Sequence, residues 1–228
     1  SGQGLDDWKP GDTVQIPAGH YSLIDLGNFQ GAEGKPITLI NSGGLVTVDT
    51  FRIRNGARYV RLLGNGDASV ARGIKIVGNG GGVCLAAGAS DLEVGFVEAT
   101  ACDVGFYVKR DSDAAVPSTV YPNDEMKNIS LHDCHIHDVN GEGMYIGHTY
   151  PNADPYHANM IPIRLSHVEI ANNVVERTGW DGIQLSNARE NCSIHHNQVS
   201  DFGLTNISSQ QAGIILGGNT NGDVYNNT

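Results

Sequence analysis

Ile194-His195-His196-Asn197-Gln198-Val199 repeats the character of Ile170-Ala171-Asn172-Asn173-Val174-Val175. Leu131-His132-Asp133-Cys134-His135-Ile136 and Leu92-Glu93-Val94-Gly95-Phe96-Val97 read as further copies, and Val224-Tyr225-Asn226-Asn227 opens another. Each complete copy has apolar residues at its first and sixth places, and the fourth place is Gly95, Cys134, Asn173, Asn197 and Asn227 in turn. The first residues recur after 39, 39, 24 and 30 positions. A short unit at variable spacing is the mark of a solenoid: the shortest interval approximates a bare rung, and longer ones carry surface insertions.

A second block follows each copy: Gly105-Phe106-Tyr107-Val108, Gly143-Met144-Tyr145-Ile146, Gly182-Ile183-Gln184-Leu185 and Gly213-Ile214-Ile215-Leu216, with Gly73-Ile74-Lys75-Ile76 as an earlier example. Apolar and outward residues alternate in it with the period of a half-buried strand. Strands that stack rung on rung lie about 4.8 Å apart. At that spacing Asn173, Asn197 and Asn227 would form a ladder of amides bonded to turn backbone and to one another.

Composition agrees. Glycine is abundant (30 residues), aromatic residues make up 7% and charged residues 17%, without the Lys- and Glu-rich stretches of helical proteins. The net charge of −11 speaks against nucleic acid and anionic membranes as partners, and a polyanionic sugar would need a cation or a local basic patch. No run of 18 apolar residues provides a membrane span. Cys84, Cys102, Cys134 and Cys192 form no CxxC pair and read as buried free thiols.

Trp8-Lys9-Pro10-Gly11-Asp12-Thr13-Val14-Gln15-Ile16-Pro17-Ala18-Gly19-His20-Tyr21 and Lys35-Pro36-Ile37-Thr38-Leu39-Ile40-Asn41 resemble opening segments of pectate-lyase-like β-helices, as the two repeat blocks resemble their rungs. The resemblance covers nearly the whole chain. It implies an all-β, single-stranded right-handed parallel β-helix. We expect one domain over 1–228, with an N-terminal cap and first strands in 1–58, rungs in 59–228 and long loops near 109–127 and 147–166. Because Val224-Tyr225-Asn226-Asn227-Thr228 stops inside a copy, further C-terminal rungs are expected beyond it. The superfamily spans lyases, hydrolases, epimerases and adhesins, so fold alone names no reaction.

The same resemblance makes the Gly-apolar-x-apolar block the first strand of each rung, with the ladder between the second and third strands and the substrate cleft over the first-strand sheet. Alternation then turns Lys75, Tyr107, Lys109, Tyr145, Gln184, Ser186 and Ile215 outward. Glu142 and Asp181 precede the glycine in neighbouring rungs, about 5 Å apart at the backbone. Two carboxylates so close do not both ionise without a cation or a raised pKa. The pair is a candidate acid and base, or a Ca²⁺ site, Ca²⁺ being the one cofactor expected. The plainer reading is turn chemistry, since Asp and Gly suit tight turns. His148, Tyr156 and His157, in the second loop, could stack on sugar rings or move protons, and Tyr107 and Gln184 would line the cleft. Asp154-Pro155-Tyr156-His157 resembles the Asp-Pro-His element of alginate epimerases, with Tyr156 interposed. His132, His135, His137, His195 and His196 fall on other faces and read as turn or surface histidines.

Two functions follow. The first is a secreted carbohydrate-active protein acting on or binding a polysaccharide. As a lyase, Lys109 and Arg110 would meet the uronate carboxylate while Tyr107, Tyr145 or His148 protonates the leaving oxygen; as a hydrolase, Glu142 and Asp181 would act. The polygalacturonase pattern with its Gly-His-Gly segment is absent. The alternative is a non-catalytic cell-surface module, a stiff rod with no site.

Overall fold

The computed structural model describes residues 8–54, 56–78, 83–84 (backbone only) and 88–228. Apart from one 3₁₀ turn, Pro117–Thr119, the regular elements are strands, and every strand pairing is parallel. The chain is a parallel β-helix, right-handed as parallel crossovers are. Among the described residues no helix is long and apolar enough to cross a membrane.

The coil begins early. β1 (Thr13–Gly27) and β2 (Ile37–Arg54) each wrap a whole rung and pair along nearly their full length, so rungs start inside the stretch expected to hold a cap. Beyond them each rung uses three short strands. β3 (Arg58–Leu63), β6 (Ser90–Gly95), β9 (Glu125–His132), β12 (Arg164–Ala171), β15 (Cys192–His195) and β18 (Gly222–Tyr225) stack into a sheet that enters the ladder corner. β4 (Ile74–Val77), β7 (Val97–Thr100), β10 (His135–Val139), β13 (Val174–Thr178) and β16 (Gln198–Ser200) form the sheet that leaves it. β5 (Val83–Cys84), β8 (Phe106–Val108), β11 (Met144–Ile146), β14 (Ile183–Leu185) and β17 (Ile214–Leu216) form the first-strand sheet.

Alternation puts one apolar column per sheet inside. Val94, Leu131, Ile170 and Ile194 stack fully buried, as do Phe106, Met144 and Ile183 on the first-strand sheet. Each such side chain contributes about 1.5–3 kcal/mol. Gly105, Gly143 and Gly182 are needed for the stacking, because a Cβ on any of them would run into the carbonyl of the next rung's glycine. Cys102, Cys134 and Cys192 are buried free thiols, and burial pushes Cys134 up to about 12, which leaves it inert; the Cys84 side chain lies outside the described residues.

The ladder is present. Asn197 Oδ1 accepts from Asn173 N and Nδ2, both at 2.9 Å, and Asn227 Oδ1 does the same for Asn197. Their amide groups also reach the carbonyls of Leu131, Ile170 and Ile194, and Asn173 Oδ1 accepts from Cys134 N. The residue before each ladder place, Asp133, Asn172, His196 or Asn226, turns the corner at φ 53–57°.

Two alignments need correction. Leu92 pairs with Ile129, and Val94 with Leu131, so Val97 rather than Gly95 stands at the ladder level, following Phe96 in the corner conformation. A slip of two residues preserves in-and-out alternation, so the pattern could not detect it. Ile74–Val77 belongs to the sheet leaving the ladder, not to the first-strand sheet; Lys75 there pairs with Glu98 at 2.6 Å, away from the proposed cleft.

Candidate functional site

The first-strand sheet holds Tyr107, Tyr145, Gln184 and Ile215 in register on β8, β11, β14 and β17. The Tyr107 and Tyr145 rings meet edge to face with centroids 5.5 Å apart. Lys109, just past β8, folds back so that its Nζ lies 5.3 Å from the Tyr107 ring centroid and 4.9 Å from that of Tyr145. Only 12% of the Lys109 side chain is exposed, and its partner is Asp111 at 2.9 Å. Burial opposes the ammonium charge, but Tyr145, Asp111 and Tyr107 outweigh it and hold the lysine above its ordinary value. Burial raises the Tyr107 phenol, against the pull of Lys109.

The long connections follow β8 and β11, over residues 109–124 and 147–163. They are tied together by the antiparallel bridge of Val120 with Pro162 and by Tyr121 N donating to Ile161 O. The second supplies Thr149, whose Oγ1 lies 2.9 Å from Tyr145 Oη and accepts from Gln184 Nε2 at 3.2 Å. With Gln184 donating, the threonine hydrogen is available to the tyrosine oxygen. Thr149 was not among the sequence candidates, since a loop threonine carries no periodic signal.

The carboxylates align as expected: Gly105 N donates to Glu142 O and Gly143 N to Asp181 O, one rung per step. They are not exposed, however. Glu142 is 3% and Asp181 1% accessible, so both are buried rather than open to the cleft. Asp181 Oδ1 accepts from Ala212 N at 2.7 Å, while its Oδ2 is buried without a partner. Burial raises both groups, and the Asp181 charge raises Glu142 further. Two carboxylates would supply part of the six to eight oxygens that Ca²⁺ takes. Among the described residues the cluster of three metal-ligating side chains is elsewhere, at Asp111, His148 and Asp154.

His148, within the second long connection, and Gln184, on β14, are buried as well. His148 Nε2 donates to Arg110 O, and burial lowers its pKa. Asp154 accepts from Tyr156 N at 3.0 Å and from His157 Nδ1 at 2.8 Å; though burial opposes its charge, these bonds hold its carboxyl low. Tyr156 is 78% exposed, beside Tyr150. The Arg110 guanidinium lies close to Gly88.

A concavity of about 460 Å³ on the sheet entering the ladder is lined by Arg61, Glu93, Ser130 and Glu169. Its polar groups answer one another, Arg61 pairing with Glu93 at 2.8 Å and Ser130 with Glu169 at 3.0 Å, which leaves it little to offer a ligand. The other sequence-noted histidines are likewise paired: His132 with Glu93, His135 with Glu176, His137 with Glu98 and His195 with Glu169.

The coil has a counterpart of known structure. It is the fold of an alginate lyase. That enzyme, from Paenibacillus sp. str. FPU-7, superposes over 98% of this chain and 90% of its own, with a TM-score of 0.52 and 14% sequence identity. At that identity the likeness establishes the fold. No protein-family description matches the chain, and no curated protein matches it.

Proposed function

We propose that the chain is a polysaccharide lyase acting on a polyuronate of the alginate type, outside the cell or at its surface. The observation that carries this reading is Lys109, a nearly buried ammonium held over two tyrosines on the sheet where the fold would lay a sugar chain. The alginate lyase on the same coil supports it. A protein of net charge −11 repels a polyanion in general, and a local cation overcomes that at close range.

In this reading Lys109 meets the uronate carboxylate and stabilises the enolate that forms on it. Tyr145, acting as the phenolate with its oxygen accepting from Thr149, takes the proton from the carbon beside that carboxylate and becomes the phenol. The C–H electron pair becomes the new carbon–carbon double bond, and the bond to the glycosidic oxygen breaks. Tyr107, kept as a phenol by burial, donates a proton to the departing oxygen. Gln184 fixes Thr149, and Tyr150 and Tyr156 offer rings to the polymer further out. Glu142 and Asp181 lie inside the wall and serve to set the turn.

Incubation with alginate and with polygalacturonate tests this. New chain ends carrying an unsaturated uronate, read by ultraviolet absorbance and product mass, are expected. Saturated reducing ends would shift the chemistry to hydrolysis by the carboxylate pair, and binding without turnover would return the chain to a non-catalytic module.

A further inference from the structure

The geometry points to a divalent transition-metal site, of the kind that takes Zn²⁺, formed by Asp111, His148 and Asp154 where the two long connections meet. One ligand atom from each lies within 4.8 Å of the others. His148 and Asp154 are 2% and 3% exposed, so two ligands are fixed in the wall and the third, Asp111, reaches in from solvent.

The hydrogen bonds set the chemistry. Arg110 O can only accept, so His148 Nε2 carries the hydrogen, and in the neutral ring Nδ1 then carries the lone pair. Among the described residues that Nδ1 has no hydrogen-bond partner; it faces Asp154 Oδ2 at 3.7 Å, too long for a hydrogen bond. A neutral imidazole anchored through its far nitrogen to a backbone carbonyl is how a metal-binding histidine is held. Asp154 is braced in the same way by Tyr156 N and His157 Nδ1. Ligand atoms about 2.0–2.2 Å from a tetrahedral ion stand roughly 3.3–3.5 Å apart; His148 Nδ1 and Asp154 Oδ2, at 3.7 Å, are close to that, and Asp111 lies within 4.8 Å of both. One nitrogen and two carboxylates suit Zn²⁺ and its first-row neighbours better than Ca²⁺ or Mg²⁺, which prefer all-oxygen sets. Asp111 also lines an open groove shared with residues 112–114, His157, Ala158 and Met160, which gives the site access to solvent on that side. Asp111 also pairs with Lys109, so an ion here would share a carboxylate with the proposed lyase lysine.

Binding rather than turnover tests the site, which makes it independent of the lyase reading. The whole chain is titrated with Zn²⁺ by calorimetry and with Co²⁺ by visible absorption. One tight ion per chain is expected. His148→Gln should weaken it at least about a hundredfold, and Asp111→Asn, at an exposed position that leaves the fold intact, by at least about tenfold. The double variant His195→Gln/His196→Gln should bind as the parent does. Absence of stoichiometric binding overturns the site, as does binding that survives both His148→Gln and Asp111→Asn or that disappears with His195 and His196.

Discussion

The ladder corner and the first-strand sheet are built from the same repeat, yet they treat polar groups in opposite ways. At the corner the Asn173, Asn197 and Asn227 amides find backbone and one another, and the neighbouring histidines face carboxylates on adjacent rungs. Among the described residues the buried side-chain atoms without a partner are Ser112 Oγ, Arg164 Nε, Asp181 Oδ2, Ser186 Oγ and Gln210 Oε1. Four of the five flank first-strand segments or belong to the connections around them, while Arg164 opens β12 on the sheet that enters the ladder. Polar groups are thus mostly satisfied at the ladder corner, and those left open gather mainly on the side where the proposed site lies.

The contrast can be broken at several points. Tyr145→Phe keeps the ring and removes only the hydroxyl, so unsaturated ends should form about 10²–10⁴-fold more slowly with the melting temperature unchanged; an unaltered rate would exclude Tyr145 from the chemistry. Asn197→Leu removes the acceptor for Asn173 N and the donor to Ile170 O, at about 1–3 kcal/mol for each group left unpaired. Its denaturant midpoint should fall well below the parent's, and an unchanged midpoint would remove the ladder from the account.

Glu142→Gln combined with Asp181→Asn sharpens the comparison from the other side. Both carboxyls are raised in the folded chain, so their contribution is full below the ordinary carboxylate range and is lost as pH rises through the raised values. The amide variant should therefore melt higher than the parent at neutral pH and converge with it in acid. A variant less stable at neutral pH would mean that the charges are needed. The smallest effect is expected at His132, raised chiefly by its bond to Glu93. Its stabilisation is full below the ordinary histidine value and fades as pH rises through the raised one. His132→Asn should flatten that slope by less than about 1 kcal/mol, because the pair is part-exposed. A parent midpoint that does not decline between mild acid and alkali would discount the bond.

The coil was legible because its signals are periodic. Apolar alternation and a recurring asparagine are read from sequence alone, and Ile170, Ile194 and Val224 pair as that reading aligned them. The same periodicity hid the slip at Leu92 and the sheet to which Lys75 belongs, since either assignment keeps the correct faces inside. The placement of Tyr107, Tyr145 and Lys109 on one face was legible because they lie on or beside a regular strand. The burial of Glu142, Asp181 and His148 was not, because it depends on how connections of irregular length close over the sheet. Thr149 and Asp111 were missed for the same reason: a loop residue's partners are set by tertiary packing that leaves no spacing in the chain.

The most direct test of the working surface is the rate of unsaturated-end formation by Lys109→Met, set beside that of the Glu142→Gln/Asp181→Asn double variant on the same polyuronate. Removing the cation that faces the developing enolate should cost about 10²–10³-fold, while the carboxylate variant stays within about tenfold of the parent. Full activity in Lys109→Met together with loss in the carboxylate variant would contradict the account and move the chemistry to Glu142 and Asp181.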